Sequence, residues 1–253
     1  MYYKNGVSDI RREFSYLLKN GHFTSFDREA SMTSIVGSKT IEIIGAAFIV
    51  DDSVIFGKVN DDYVAREHAW YVSKSLSVND FPGGAPEVWK AIASKTDAMV
   101  NSNYGYLVYG VENNSQLEHA IAELKKNEES RRAIVIYTRP TMWNDYNVDG
   151  RSDFVCTNAV QYVIRDGYVD AIVQMRSNDS HIGYKNDCAW QKTCLREVAS
   201  AVNYPAGKIY WQVGSLHVYE RDFYLVDHYS KTGETSITKK QYNELYPSSC
   251  YNR

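Results

Sequence analysis

The segment DFVCTNAVQYVIRDGYVDAIVQMRSNDSHIGYKND, from Asp153 to Asp187, predicts a β-hairpin. Its two runs, Cys156–Ile164 and Tyr168–Met175, are rich in the β-branched and aromatic residues that favour strands. Between them, Asp166 and Gly167 form a dipeptide that is typical of a two-residue hairpin turn. The segment therefore predicts two adjacent antiparallel strands in the centre of the chain.

The register of this hairpin predicts which side chains meet at its open end. If the residues that flank the turn face each other, Cys156 lies opposite Ser177 and Thr157 lies opposite Arg176. Directly opposed side chains share one face of a sheet, with Cβ atoms about 4.5–5.5 Å apart. A thiol, a hydroxyl and a guanidinium are thus expected to lie together.

Cys156 is the candidate nucleophile in this group. A neighbouring guanidinium such as that of Arg176 favours the thiolate form, which is the reactive one. The alternative is an inert cysteine in the core, which is the commoner situation for a lone cysteine in a strand. Spacing alone leaves both interpretations open.

The rest of the chain predicts an α+β protein with mixed α/β layers. No repeat, linker or change of composition divides it, so we expect a single domain over residues 1–253. A polar loop rich in Ser and Thr is expected up to Ser38, and Ser115 with Glu118 predicts a capping box. The predicted helices are Ser8–Lys19, Asp61–Leu76, Ala85–Ala93 (opened by Pro86), Ser115–Asn127 and Asp187–Asn203. The further predicted strands are Thr40–Val50, a possible continuation at Ser53–Phe56, Ala133–Thr138 and Lys208–Val213.

Composition excludes several classes of function. A net charge of −3 over 253 residues gives no general reason to expect direct nucleic-acid binding. No apolar run approaches the ~20 residues that span a bilayer, and the N-terminus lacks the apolar core of a signal peptide. The four cysteines have neither CxxC pairs nor metal-ligand spacing. We expect a cytoplasmic protein with free thiols and no metal.

Two charged sites elsewhere have both a structural and a functional interpretation. Glu67 shares a predicted helix face with Tyr63 and Trp70, where it is either a solvated side chain or a buried proton carrier. Arg131 and Arg132 precede a predicted strand, where they are either a charged boundary or a phosphate site.

The same ambiguity applies to three further polar residues. Asp187 opens a predicted helix, so it has an ordinary explanation as an N-cap. His217 and Tyr219 alternate onto one face of a strand, where they either belong to the core or bind a sugar hydroxyl.

In order along the chain, these segments resemble the thymidylate synthase superfamily from about Thr40 to Val226. The matching features are a glutamate in a Trp-containing helix, SRR before a strand, a cysteine, RSxD-x3-G, and HxY near the end. The chain is more similar to one branch, the deoxycytidylate hydroxymethylases of large DNA phages. The segments that carry this similarity are KTIEIIGA, SRRAIVIYTRP, MRSND, NDxAWQ and VGSLHVY.

The resemblance implies a fold, an assembly and a reaction. The fold would have a large mixed sheet packed against helices, and the sheets of two subunits would pack back to back in a homodimer. Each active site would take Arg131 and Arg132 from the neighbouring subunit. The reaction would transfer a one-carbon unit from 5,10-methylenetetrahydrofolate to C5 of deoxycytidylate (dCMP) and add water, giving 5-hydroxymethyl-dCMP and tetrahydrofolate for modified phage DNA.

The resemblance also implies a role for each candidate residue. Cys156 would be the nucleophile, Glu67 would organise water and protons, and Asp187 would recognise the base. Each remaining role has a group of candidates: Arg176, Ser177, Arg131 and Arg132 for the phosphate; His217 and Tyr219 for the sugar; Tyr104 and Trp89 as pocket walls near the base and the folate; Asp179 and Gly183 for the folate side; and either Arg28 or Lys39 as an additional phosphate ligand.

Two departures from thymidylate synthases bear on the substrate. Synthases have Pro-Cys-His at the nucleophile, whereas this chain has Val155-Cys156-Thr157. Synthases have Asn where this chain has Asp187. Asn suits the O4 and N3–H of uracil, whereas a carboxylate accepts from the 4-amino group of cytosine.

Four other functions remain open from the sequence. Three are neighbouring enzymes: a deoxyuridylate (dUMP) hydroxymethylase, a thymidylate synthase and a ribonucleotide (CMP) hydroxymethylase. The fourth is a catalytically inactive, nucleotide-binding dimer.

Overall fold

The computed structural model describes residues 5–26 and 38–251, and a six-stranded sheet runs through this part of the chain. The strands are β1 (Thr24–Phe26), β2 (Ser38–Ile49), β3 (Ile134–Ile136), β4 (Thr157–Arg165), β5 (Tyr168–Asp179) and β6 (Ala206–Tyr219). Their order across the sheet is β1-β2-β6-β5-β4-β3. This mixed sheet confirms the predicted fold class.

Helices flank the sheet in the described residues. They are α1 (Val7–Lys19), α2 (Asp61–Ser73), α3 (Glu87–Ile92), α4 (Tyr104–Tyr109), α5 (Gln116–Lys126), α6 (Met142–Asp145), α7 (Gly183–Ala201), α8 (Phe223–Thr232) and α9 (Lys239–Leu245). Short 3₁₀ turns occur at Val78–Asp80, Val111–Asn113, Val148–Gly150 and Glu220–Asp222. No helix in these residues is both long and apolar enough to cross a membrane.

The central strands β5 and β6 run parallel, whereas the other pairs are antiparallel. Parallel neighbours need a crossover connection, and α7 provides it. The buried face of α7 includes Cys188, Trp190, Leu195 and Val198, which belong to the hydrophobic core. This packing fixes the N-terminal turns of α7 beside the end of β5.

The predicted hairpin is confirmed, but its register at the open end is wrong by one residue. Asp166 and Gly167 both have positive φ, 51° and 79°, as a two-residue type I′ turn requires. An irregularity between Thr157 and Ala159 then pairs Thr157 with Met175. A bulge adds one residue to one strand, and alternation alone does not reveal it. Thr157 is therefore not opposite Arg176.

Cys156 consequently does not face Ser177. It lies just before β4, and its carbonyl accepts from the backbone N–H of Arg176 at 2.9 Å. The predicted proximity of thiol and guanidinium is retained, whereas the pairing of Cys156 with the Ser177 hydroxyl is not.

Three other local predictions were wrong. Ser53–Phe56 forms no strand. Ser115 precedes α5 but has a φ of 41° and makes no capping bond, so it forms no capping box with Glu118. The helix predicted to open at Asp187 begins four residues earlier, at Gly183. Asp187 is thus inside the helix, and the N-cap explanation for this residue is excluded.

Two boundaries differ at the ends of the sheet. The predicted strand Lys208–Val213 extends over Ala206–Tyr219, so His217 and Tyr219 belong to it. The short strand β1 lies in the predicted N-terminal loop, and the rest of that loop, residues 27–37, lies outside the described residues.

Candidate active site

The candidate nucleophile is in contact with a cation. Nη2 of Arg176 is 3.6 Å from Sγ of Cys156. Nε of Arg176 donates to the carbonyl of Val155 at 2.9 Å, and Nη2 donates to that of Phe154 at 2.5 Å. The guanidinium also lies over the Phe154 ring, 5.0 Å from its centroid. The segment that carries the thiol thus fixes a positive charge beside it, which favours a thiolate.

Asp187 lies in the second turn of α7, half-buried next to the end of β5. Its Oδ2 accepts from Nδ2 of Asn178 at 2.7 Å, and Tyr104 also hydrogen-bonds to this carboxyl group. Loss of hydration, with the nearby charge of Glu67, raises the pKa of Asp187 to about 8. At neutral pH this carboxyl group therefore holds a proton.

Glu67 is the second carboxyl group of the site. It lies on α2 with only 3% of its surface exposed, and burial raises its pKa to about 7. The Tyr63 hydroxyl donates to Oε1 of Glu67 at 2.6 Å and accepts from the Trp89 indole at 3.0 Å. Because their pKa values lie close to neutrality, Glu67 and Asp187 are suited to proton transfer.

Tyr104 connects the nucleophile segment with Asp187. Its hydroxyl accepts from Oγ1 of Thr157 at 3.0 Å, which leaves its own proton for Asp187. The ring is buried, stacked on Tyr71 and edge-on to Tyr137, with centroids 5.4 and 5.1 Å away. Aromatic packing therefore fixes the position of this hydroxyl.

The candidate sugar residues and two of the phosphate candidates, Arg176 and Ser177, lie near the ends of β5 and β6. In their parallel register Ser177 is beside Ser215, and Asp179 is beside His217. The rings of His217 and Tyr219 are in edge contact, with centroids 4.8 Å apart. These residues share one end of the sheet.

The two candidates for the folate side lie where β5 leads into α7. Oδ1 of Asp179 accepts from the backbone N–H groups of His181 and Ile182, at 2.8 and 3.3 Å. At Gly183, an added Cβ would be 3.1 Å from Nδ2 of Asn178 and 3.6 Å from Oδ2 of Asp187. Gly183 therefore leaves room for the contact between these two side chains.

Two basic candidates, Arg131 and Arg132, lie apart from this cluster, whereas Lys39 precedes Thr40, which is paired with Tyr219 at the end of β6. Arg131 and Arg132 are exposed before the edge strand β3, and Arg132 pairs with Glu123 at 2.9 Å. Within residues 5–26 and 38–251, no hydrogen bond or ion pair joins either arginine to Arg176. Nζ of Lys39 lies over the Phe23 ring at 5.0 Å, and Arg28 falls outside the described residues.

Sequence reasoning missed Asn178 and the contact between Thr157 and Tyr104. Asn178 lies between two candidates, Ser177 and Asp179, and had no signal of its own. The bond between Tyr63 and Glu67, by contrast, was signalled by their spacing of four residues on one helix face. In the described part of the chain, no group of three His, Cys, Asp or Glu residues could hold a metal ion.

Glu67→Gln is expected to reduce the pH dependence of stability. The pKa of Glu67 is raised from 4.5 to about 7 on folding, so between these values the folded state binds more protons. Stability therefore falls as pH rises through this window, by about 3 kcal/mol at most. Gln does not ionise and still accepts from Tyr63, so the variant should exceed the wild type in stability at pH 8 but not at pH 4.

Urea unfolding at pH 4, 6 and 8 measures this effect, with the exposed helix residue Glu118 changed to Gln as the matched control. If the free energy of unfolding changed with pH in the same way for Glu67→Gln and the wild type, the raised pKa of Glu67 would be contradicted.

Comparison with known proteins supplies independent findings. The thymidylate synthase family model matches residues 31–244. The chain is 50% identical over 247 residues to the deoxycytidylate 5-hydroxymethyltransferase of Enterobacteria phage T4, covering 95% of this chain and 97% of the phage protein. It is also 50% identical over 244 residues to the phage T2 protein of that name, covering 94% and 96%.

A solved structure gives the same result for the fold. Thermostable thymidylate synthase A from Bacillus subtilis matches with a TM-score of 0.64 at 20% identity, covering 90% of this chain and 84% of that protein. At this level of identity the likeness concerns the fold alone. It confirms the fold that the sequence motifs implied.

Proposed function

The chain belongs to the thymidylate synthase family, and on this basis we propose that it is a deoxycytidylate 5-hydroxymethyltransferase. It transfers a one-carbon unit from 5,10-methylenetetrahydrofolate to C5 of dCMP and adds water there, releasing tetrahydrofolate. The similarity to the phage enzymes supports this reaction along nearly the whole chain. The observation that carries the choice of substrate is the carboxyl group of Asp187, which is held by Asn178 and Tyr104 and whose pKa is raised by burial.

A neutral carboxylic acid is complementary to the edge of cytosine. Its O–H donates to N3, which is an acceptor in cytosine, and its other oxygen accepts from the 4-amino group. Uracil presents the opposite pattern, with a donor at N3 and an acceptor at O4, so the carboxylate that remains once the acid proton has left can accept from the 4-amino group of cytosine but has nothing to donate to O4. Because the pKa of Asp187 is about 8, the residue supplies both a donor and an acceptor at neutral pH.

Cys156 begins the reaction by adding to C6 of the pyrimidine, which makes C5 a carbon nucleophile. Arg176 favours the attacking thiolate. As negative charge builds up on the ring, the Asp187 proton passes to N3, and the resulting carboxylate accepts from both N3–H and the 4-amino group. The base therefore stays bound while it becomes reactive.

The folate supplies the one-carbon unit, which C5 accepts. Loss of the C5 proton and release of tetrahydrofolate leave an exocyclic methylene on the pyrimidine, and water adds to this carbon. Cys156 then leaves C6. Glu67, with its pKa near neutrality and its bond to Tyr63, can hold the water and take up its proton.

The substrate phosphate is assigned to Arg176 and Ser177 of one subunit and to Arg131 and Arg132 of the partner subunit. Guanidinium groups bind phosphate through paired hydrogen bonds. Lys39 and Arg28 remain the two candidates for an additional phosphate ligand. On the sugar side we assign His217 and Tyr219.

We assign the folate to Trp89 on α3 and to the turn that leads into α7. Trp89 is half-buried and offers an indole for stacking, and its N–H is already bound to Tyr63. Asp179 and Gly183, at the end of β5 and the start of α7, are assigned to the folate side from the resemblance. In this arrangement folate would cover the pyrimidine and restrict the entry of water.

Family membership supports a homodimer, and the exposed parts of the sheet suit one. Ile44 on β2 and Ile136 on β3 remain 72% and 50% exposed in one chain. Apolar side chains that are exposed on the sheet of one chain can be buried against a second copy of the chain. The two exposed arginines next to β3 would then serve the partner's site.

Mixing two inactive variants tests the shared site. Arg131→Ala retains Cys156 but lacks the donated arginine, whereas Cys156→Ser retains the arginine. Random mixing makes half of the dimers heterodimers, each with one intact site, so activity should return to about one quarter of the wild-type level. The measurement is dCMP turnover after the two variants are co-refolded.

The control for this mixing experiment is Cys156→Ser refolded with Glu118→Gln,Cys156→Ser, which can form no intact site. Absence of any recovery in the first mixture, with dimers present, would assign the arginine to its own subunit's site.

The reaction itself is tested by incubating the protein with 5,10-methylenetetrahydrofolate and, separately, dCMP, dUMP or CMP. Mass spectrometry of the nucleotide in ¹⁸O-labelled water is expected to show labelled 5-hydroxymethyl-dCMP. A methylated product from dUMP would identify a thymidylate synthase, and hydroxymethylation of dUMP or CMP in preference to dCMP would identify one of the other two enzymes. No product from any nucleotide would favour an inactive dimer.

A further inference from the structure

Asp187 on α7 accepts a hydrogen bond from Asn178 on β5, a residue to which the reaction assigns no role. Asn178 is only 3% exposed, and its Nδ2 donates to Oδ2 of Asp187 at 2.7 Å. Its position is fixed by the strand, because Asn178 is paired with Leu216 in the parallel register of β5 and β6. The contact therefore links the rigid sheet to the carboxyl group that recognises the base.

The local chain is arranged to permit this contact. Gly183 is the first residue of α7, and a methyl group there would lie 3.1 Å from Nδ2 of Asn178. That distance is shorter than ordinary van der Waals contact, so a side chain at this position would press on the amide. The helix thus starts with the one residue that leaves the amide beside the carboxyl group.

A donor at Oδ2 has a chemical consequence. An oxygen that accepts from the Asn178 N–H retains one lone pair for a second donor, but it disfavours carrying the acid proton itself. The proton of the neutral acid is then directed to Oδ1. The two oxygens become different: Oδ1 is the donor and Oδ2 is the acceptor.

We propose that Asn178 is a positioning residue that sets the direction of base recognition, because its donation to Oδ2 directs the acid proton of Asp187 to Oδ1. This inference rests on the proposed function. With the oxygens distinguished, cytosine can pair in one orientation only, with N3 at Oδ1 and the 4-amino group at Oδ2. C6 is thereby presented to Cys156 in a single pose.

A second set of hydrogen bonds holds the same carboxyl group and starts from the segment that carries the nucleophile. Oγ1 of Thr157 donates to the Tyr104 hydroxyl, which in turn hydrogen-bonds to Asp187. Thr157 follows Cys156 directly, so the residue after the nucleophile is linked to the recognition group. Asn178 and Thr157 thus hold Asp187 from two strands, β5 and β4.

The test is a double-mutant cycle with Asn178→Leu and Asp187→Asn. Leu keeps the branching of Asn at Cγ but removes the donor. We expect Asn178→Leu to lower kcat/KM for dCMP about 10- to 100-fold in the wild-type background, in the range of a hydrogen bond to an ionisable group. In the Asp187→Asn background its effect should be less than about threefold. An equal loss in both backgrounds would overturn the proposal.

A pH profile separates positioning from a merely structural role. The Asn178 bond lowers the pKa of Asp187 against the raising effects of burial and of the charges of Glu67 on α2 and Asp179 on β5. The phenols around it, which are those of Tyr63, Tyr71, Tyr104 and Tyr137, all have raised pKa values and stay neutral. Asn178→Leu should therefore move the alkaline limb of kcat/KM to higher pH, whereas an unchanged limb would overturn the proposal.

Two further measurements keep the result interpretable. If Asn178→Leu fails to fold, Thr157→Val is used instead, because it removes the hydrogen bond from Thr157 to Tyr104 with little change in shape. Its loss of kcat/KM should also be large with Asp187 and small with Asp187→Asn. Equal losses in these two backgrounds would overturn the proposal. The cycle is also run on the Kd of the tightest-binding pyrimidine nucleotide without folate. If the effects of the two substitutions on Kd depend on each other but the protein does not turn over dCMP, the proposed function is contradicted and the role of Asn178 is kept.

Discussion

Replacing Cys156 with Ser is expected to abolish formation of 5-hydroxymethyl-dCMP, lowering kcat by about 10⁴-fold or more. The reaction depends on attack at C6, and a serine hydroxyl is far less ionised and less nucleophilic than a thiol at neutral pH. Arg176 contacts Sγ at 3.6 Å and is anchored by the carbonyls of Val155 and Phe154, which the substitution leaves unchanged. The site should therefore lose its chemistry while keeping its shape.

Two measurements distinguish lost chemistry from lost structure. The Kd for dCMP should change by less than about threefold, since the thiol contributes little to non-covalent binding of the nucleotide. Cys250→Ser is the matched control, because this cysteine is exposed near the C-terminus and belongs to no assigned site. If Cys156→Ser kept more than about one tenth of the turnover, covalent catalysis by this residue would be excluded.

Replacing Asp187 with Asn is expected to shift the substrate preference from dCMP towards dUMP by about 100-fold in the ratio of kcat/KM. An amide cannot release a proton to N3, but it can accept from the N3–H of uracil and donate to O4. The wrong base leaves a buried polar group without a partner, which costs about 1–3 kcal/mol for each substrate. The loss of kcat/KM for dCMP and the gain of kcat/KM for dUMP both change the ratio in the same direction.

The measurement is competition between the two nucleotides, followed by mass spectrometry of both products. Asp170→Asn serves as the control, because Asp170 is a half-buried carboxylate on β5 that bonds to the backbone of Lys208. An unchanged ratio in Asp187→Asn would remove the physical basis for cytosine recognition by this residue.

Asp187 also illustrates the limit of local reasoning. Its place before an amphipathic run suggested an N-cap, but the helix begins at Gly183. The raised pKa comes from burial and from Glu67, which is 120 residues earlier in the chain. A pattern over neighbouring residues holds no information about such a distant charge. The chemistry of Asp187 therefore became visible only in the folded chain.

The hairpin shows how far a short-range pattern extends. The turn at Asp166 and Gly167 follows from the conformational preferences of those two residues, and the sequence predicted it correctly. The pairing then held from the turn to Ala159 and failed at the bulge between Ala159 and Thr157. A bulge depends on how both strands pack on their surroundings, so side-chain alternation cannot locate it.

By itself the sequence determined the main strands and helices, the proximity of Cys156 and Arg176, and the family to which the chain belongs. Those features depend on backbone preference, hydrophobic period and motifs of a few residues, all of which are local. Only the tertiary structure decided that Asn178 and Tyr104 hold Asp187, and that two carboxyl groups titrate near neutrality. These properties depend on burial and on contacts between segments far apart in the chain, because the removal of water around a charge is a property of the whole fold.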